Sequence, residues 1–154
     1  AISSEVPEIV VGAGTVTTPV QLTDAVEAGA TFIVSPGSPR ALRSAALEMG
    51  IPALLGANTV TEMMELFDDG WQTLKFFPAE AAGGIEYLSS VRGPLPGLKF
   101  CPTGGINLKN AQFYLDLPNV PCVGGSWLTP NDAIEAGNWG LIEQLARRAR
   151  ESLG

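Results

Sequence analysis

Short apolar runs alternate with longer stretches of helical periodicity along the whole chain. The runs at 8–15 (EIVVGAGT), 31–37 (TFIVSPG), 52–58 (PALLGAN), 73–80 (TLKFFPAE), 98–106 (LKFCPTGGI) and 121–127 (PCVGGSW) predict strands. The segments at 18–29, 38–50, 59–70, 84–93, 107–117 and 131–153 predict helices. A strand–helix unit about every 20 to 26 residues is the rhythm of an α/β protein with a parallel sheet, since each parallel crossover takes a dozen or more residues, usually as a helix.

Local signals fix the phase. Thr18-Pro19 and Ser38-Pro39 each predict an N-cap followed by proline at the first helical position. Gly29, Gly50 and Gly70 close apolar-periodic segments, where a left-handed residue ends a helix. In the helix at 59–70, Val60, Met63, Met64 and Phe67 have the spacing of one packed face.

Every strand ends in small or backbone-exposing residues: Gly12-Ala13-Gly14-Thr15, Ser35-Pro36-Gly37, Gly56-Ala57-Asn58, Pro78-Ala79-Glu80, Thr103-Gly104-Gly105 and Gly124-Gly125-Ser126. Ligands of parallel α/β proteins bind beyond the C-terminal strand ends, so these loops predict one shared site.

Composition narrows the function classes. The 154 residues, 45% hydrophobic and 16% charged, fit one compact domain spanning 1–154. No apolar run approaches the roughly 18 residues needed to cross a bilayer, and no secretory leader is recognisable, so a cytoplasmic location is expected. The net charge of −7 excludes a nucleic-acid or anionic-membrane partner. Arg147, Arg148 and Arg150 read as the C-terminal turn of a helix, where cations complement the dipole. With no histidine in the chain, Ser-His-Asp and Cys-His catalysis and histidine-bearing zinc sites are excluded; no metal or cofactor is expected. Cys101 and Cys122 read as small core residues, with a cross-strand disulfide as the alternative.

One of only three lysines carries the candidate chemistry. Lys75 stands in TLKFFPAE, where alternation sends Leu74 and Phe76 to one side and Lys75 with Phe77 to the other. A lysine desolvated beside Phe77 would lose its proton more easily and attack a carbonyl to form a Schiff base. A lysine with a buried stem and a solvated ammonium explains the position equally well. PTGGIN and VGGSW offer consecutive glycine amides, either as an anion cradle or as tight turns.

The strings VVGAGTV, FIVSPG, LKFFPAEAAGG, FCPTGGIN and VGGSWL, in this order and at these separations, resemble the bacterial 2-dehydro-3-deoxy-6-phosphogluconate (KDPG) aldolases, which often also cleave 4-hydroxy-2-oxoglutarate (KHG). The resemblance implies a (β/α)8 barrel, usually trimeric, and a class I aldolase that releases pyruvate and glyceraldehyde 3-phosphate from KDPG, or pyruvate and glyoxylate from KHG. It makes Lys75 the Schiff-base residue, puts Thr15, Pro36, Phe77 and Thr103 around the substrate, and gives Gly104, Gly105, Gly124, Gly125 and Ser126 to its phosphate.

The six units match the third to eighth of that family. The glutamate that serves the family as acid and base, and a substrate-binding arginine, lie on the two units that would precede them. The expectation is therefore part of a longer polypeptide, with a truncation or a partner-completed barrel as alternatives. Glu80, just beyond the Lys75 strand, is the nearest carboxylate by position, and loop solvation is its simpler reading. Two other functions compete with the aldolase: a phosphosugar isomerase or epimerase on the same barrel, and a catalytically impaired fragment.

Overall fold

The computed structural model describes residues 2–153 as an α/β protein with parallel sheets, in two compact units that meet in sequence between Phe77 and Pro78. In the first, helix α1 (Ile2–Glu5) precedes strand β1 (Gly12–Gly14), helix α2 (Pro19–Glu27), strand β2 (Phe32–Val34), helix α3 (Arg40–Met49), strand β3 (Ala53–Leu54), helix α4 (Val60–Asp68) and strand β4 (Thr73–Phe76). The strands lie in sequence order. Gly12 pairs with Phe32 and Ile33 with Ala53, all in parallel, and the Gly56–Lys75 bridge continues the order to β4. Each crossover is one of the predicted helices, whose inner faces bury Leu22, Leu42, Met63 and Leu66 completely around Ile33, Leu55, Leu74 and Phe76.

The second unit starts with a 3-10 turn (Glu80–Ala82) and runs through helix α5 (Gly84–Val91), strand β5 (Lys99–Pro102) and helix α6 (Ala111–Leu115). A second 3-10 turn (Ser126–Leu128) leads into helices α7 (Asn131–Glu135) and α8 (Trp139–Leu153). Its core is built on Leu88, Leu98, Phe100 and Tyr114, all fully buried. Asn119, also buried, ties α5 to β5: its side chain donates to Leu88 O at 3.0 Å and its carbonyl accepts Phe100 N–H at 2.8 Å.

Five of the six predicted strands form, each shorter than its apolar run; β1 keeps only Gly12-Ala13-Gly14, with Ile9 and Val10 exposed ahead of it. The sixth, at 121–127, is reduced to one parallel bridge, Thr103 to Gly124. Pro121 lacks a donor, and Gly124-Gly125 gives a strand little to pack with. Cys122 is consequently exposed, against its expected place in the core, whereas Cys101 on β5 is buried; the two are not joined by a disulfide.

The predicted last helix is two. Gly137, at φ 62°, turns the chain left-handed after α7, and Asn138 Oδ1 accepts Leu141 N–H at 3.2 Å to start α8. Thr18 caps α2 as expected, accepting Gln21 N–H at 3.2 Å. Ser38 does not cap α3: Pro39 takes the cap position in an extended conformation, and the helix opens with Arg43 N–H to Pro39 O at 3.0 Å. Gly29, Gly50 and Gly70 do adopt positive φ at helix ends.

On α4 the packed face is Met63 with Leu66, while Val60, Met64 and Phe67 are 39%, 51% and 42% exposed. The helix carries two apolar stripes, and its period cannot say which of them meets the sheet.

Candidate active site

In the first unit, the parallel order of β1 to β4 brings their C-terminal ends to one edge. Lys75 sits there on β4, between Leu74 and Phe76, both 0% exposed. Its backbone is fixed on β3's side by two hydrogen bonds, Lys75 N–H to Leu55 O at 2.8 Å and Ala57 N–H to Lys75 O at 2.9 Å. Alternation puts its side chain with Phe77, as expected, and Nζ lies 4.9 Å from the centre of the Phe77 ring. A cation over a ring face is held by the ring quadrupole, so Phe77, 38% exposed, orients the lysine as well as covering it.

Gly56 is the residue that makes this edge tight. It pairs with Lys75 across the bridge, while a Cβ at Gly56 would run into the Pro36 carbonyl and stand 2.6 Å from Gly37 N. Pro36 and Lys75 therefore approach the same glycine. Thr15 follows β1 at φ 59°, the only non-glycine residue with positive φ among those described. For a β-branched residue this conformation costs roughly 1–3 kcal/mol, the sort of strain that concentrates at functional sites. Ser35, buried on the next strand end, has a hydroxyl with no hydrogen-bond partner. A groove of about 460 Å³ lined by Gly50, Ile51, Trp71 and Gln72 lies where β3 and β4 begin, at the other edge, away from this chemistry.

In the second unit the two glycine loops lie side by side. Thr103 bridges to Gly124, and Gly124 N–H donates to Pro102 O at 3.0 Å. Gly104 and Gly105 take φ 96° and 82°, which only glycine adopts readily in succession. The Gly105 carbonyl is held by the side-chain amides of Asn110 at 3.1 Å and Asn107 at 3.3 Å. Among the described residues, no backbone carbonyl accepts the N–H of Gly104, Gly105 or Gly125, whereas that of Gly124 is already engaged.

The Thr103 methyl packs against Gly124, and its Oγ1 is buried without a partner. The Trp127 ring covers Gly125 so closely that a Cβ there would collide with it, and the indole N–H is likewise buried and unpartnered. A buried hydroxyl or N–H left unsatisfied costs about 1–3 kcal/mol, so these atoms mark places where a polar ligand group or water is wanted.

The structure thus brings Thr15, Pro36, Lys75 and Phe77 to one edge of the first unit. It brings Thr103, Gly104, Gly105, Gly124, Gly125 and Ser126 together in the second. From sequence, Ser35 and Gly56 are strand-end residues without roles of their own, and Trp127 is not singled out. A lone glycine in LLGAN and a tryptophan after GGS were the signals available, but only the close contacts give them a role.

The KDPG and KHG aldolase family model matches residues 1–145. The KHG/KDPG aldolase of Escherichia coli K12 is 52% identical over 151 residues, covering 98% of this chain and 71% of its own. The crystal structure of a Legionella pneumophila KDPG aldolase, with pyruvate captured as a covalent carbinolamine, superposes with TM-score 0.91 at 51% identity over 94% of this chain and 70% of that one. A Zymomonas mobilis KDPG aldolase with 3-phosphoglycerate gives 0.87 at 38% identity, over 99% and 70%. Sequence and fold agree from β1 to α8: the chain belongs to the KDPG and KHG aldolase family.

Proposed function

We propose that the protein is a class I aldolase that cleaves KDPG to pyruvate and glyceraldehyde 3-phosphate, and KHG to pyruvate and glyoxylate, through an imine at Lys75. The observation that carries the reading is the Lys75 amine at the C-terminal end of β4, held over Phe77 in a chain half identical to named KHG/KDPG aldolases. The captured carbinolamine in the Legionella relative supports the same covalent chemistry.

Lys75 Nζ, once neutral, adds to the C2 ketone, and loss of water from the carbinolamine leaves an iminium ion. That cation draws the C3–C4 bonding pair toward C3 as a carboxylate takes the C4 hydroxyl proton, releasing the aldehyde and leaving an enamine. Protonation at C3 and addition of water return pyruvate and the free lysine. Thr103 Oγ1, buried and without a protein partner, serves the pyruvate carboxylate, and Thr15 and Pro36 line the pyruvate end. The N–H groups of Gly104, Gly105, Gly125 and Ser126 take the phosphoryl group, with Gly124 packed beneath against Thr103. Loop amides free of intramolecular acceptors favour an anion there, as in the phosphate sites of other barrels.

Within this reading the strand–helix units are part of one (β/α)8 barrel domain, and the protein is a cytoplasmic homotrimer. Pyruvate release coupled to lactate dehydrogenase, with KDPG and with KHG, tests the activity. Pyruvate is expected from both substrates and only background from Lys75→Met. Absence of pyruvate from either substrate, or full activity in Lys75→Met, would overturn the assignment.

A further inference from the structure

Glu80 is an exposed residue whose carboxylate is nonetheless engaged. Its Oε1 accepts a hydrogen bond from the Tyr114 hydroxyl, and Tyr114 is completely buried on α6. Its backbone N–H donates to Gly104 O at 3.1 Å, next to the bond from Ala79 N–H to Thr103 O at 2.8 Å. Its stem lies on Gly105: a Cβ there would come within 2.5 Å of Glu80 Cγ and 2.8 Å of Glu80 Cβ. Gly84, at the start of α5, completes the packing, since a Cβ at that position would stand 2.9 Å from the Tyr114 hydroxyl. One side chain thus grips the glycine loop from below and is itself tied to the core.

We propose that Glu80 and Tyr114 are positioning residues for the anion loop: the Tyr114 hydroxyl fixes the Glu80 carboxyl group, so that the Glu80 stem against Gly105 and the Glu80 N–H on Gly104 hold the two glycines in the left-handed geometry that receives the phosphoryl group. The inference rests on the phosphate role given to these loops above.

Two features favour positioning over simple packing. A hydrogen bond from a buried phenol to a carboxylate is directional and about twice as strong as a neutral one, so it fixes where the stem lies and not merely that it is buried. The side-chain contact also falls on Gly105, one of the loop glycines whose N–H has no backbone acceptor, while the Glu80 backbone N–H holds the neighbouring Gly104 carbonyl. Burial pushes the Tyr114 phenol above its ordinary range, and the hydrogen bond and charge of Glu80 add to this, so the proton stays on the tyrosine at every working pH.

Tyr114→Phe, Glu80→Gln and Glu80→Ala test this in the full protein by comparing phosphorylated KDPG with unphosphorylated KHG. Tyr114→Phe and Glu80→Ala should raise KM for KDPG about tenfold, the loss of one charge-assisted hydrogen bond, and leave kcat/KM for KHG within about twofold. Glu80→Gln keeps an oxygen for the tyrosine hydroxyl and should recover most of the loss. Equal loss on both substrates, or no loss on KDPG, would overturn the proposal. If Tyr114→Phe does not fold, the Glu80 pair carries the comparison.

Inorganic phosphate separates this inference from the aldolase assignment, since its binding can be followed at the Gly104 and Gly105 amide resonances without turnover. Should the wild type release no pyruvate, weaker phosphate binding in Glu80→Ala would still sustain the clamp. Unchanged binding, or no binding to the wild-type loop, would overturn it.

Discussion

Replacing Gly56 by alanine probes the tightest point of the Lys75 edge. The added methyl would overlap the Pro36 carbonyl and sit 2.6 Å from Gly37 N, both backbone atoms that no rotamer change can move. Reaching ordinary van der Waals separation requires the β2 and β3 ends to part by about 1.5 Å. Overpacking of this kind costs about 1–3 kcal/mol. The Gly56 N–H to Gly37 O bond, already long at 3.4 Å, would be lost in the same movement. Its loss adds about 1 kcal/mol. The Tm of the variant should therefore fall by roughly 4–16 °C, at 2–4 °C per kcal/mol for a chain of this size.

Because Gly56 pairs directly with Lys75, the displacement reaches the nucleophile. A shift of about 1 Å in a reacting group can cost on the order of a hundredfold in rate. Differential scanning calorimetry and the rate of pyruvate adduct formation at Lys75 measure the two effects. A Tm within 1 °C of the wild type (roughly the scatter of a neutral surface substitution), with an unchanged adduct rate, would refute the packing argument.

Other consequences can be measured independently. Thr59 and Glu62 form a reciprocal cap on α4, with Asn58 and Thr59 N–H both donating to Glu62 Oε2 at 2.8 Å, so Thr59→Ala should cost about 1 kcal/mol in urea denaturation. Burial alone would raise the Glu62 pKa, but its hydrogen bonds to Asn58 and Thr59 hold it below 4.5. Its contribution is therefore present above that pH and lost as the pH falls through the lower folded value, and the stability gap between Glu62→Gln and the wild type should close in acid. A hydrogen bond from Cys101 draws the exposed Cys122 thiol down to about 7 against the opposing effect of burial. Alkylation of Cys122 should rise through neutral pH, and Cys101→Ala should move that rise upward. Trp127→Phe keeps a ring over Gly125 and removes an indole N–H that has no partner; relief of that donor, about 1–3 kcal/mol, opposes the loss of the larger ring, so the Tm should not fall below that of the wild type.

The sequence made the order of elements legible because helix caps and strand-end glycines are local signals: Thr18, Gly29, Gly50 and Gly70 do what their types predict. It misled where the outcome depends on what lies opposite. Val60, Met63, Met64 and Phe67 have the spacing of one face, but of these only Met63 is buried, together with Leu66. VPCVGG has the apolarity of a strand, yet Pro121 and the two glycines leave a single bridge. At the site, Lys75 and the glycine loops were visible by residue type and position. The strain at Thr15, the crowding at Gly56 and the partner of Glu80 were not, since each is a contact or a torsion angle set by residues distant in sequence.

The most direct test of the account is borohydride reduction of the protein with pyruvate, followed by intact mass and peptide mapping. The account predicts one reduced pyruvate adduct per chain, located at Lys75 and lost in Lys75→Met. A protein that takes up no pyruvate, or carries the adduct at Lys99 or Lys109 instead, would contradict it.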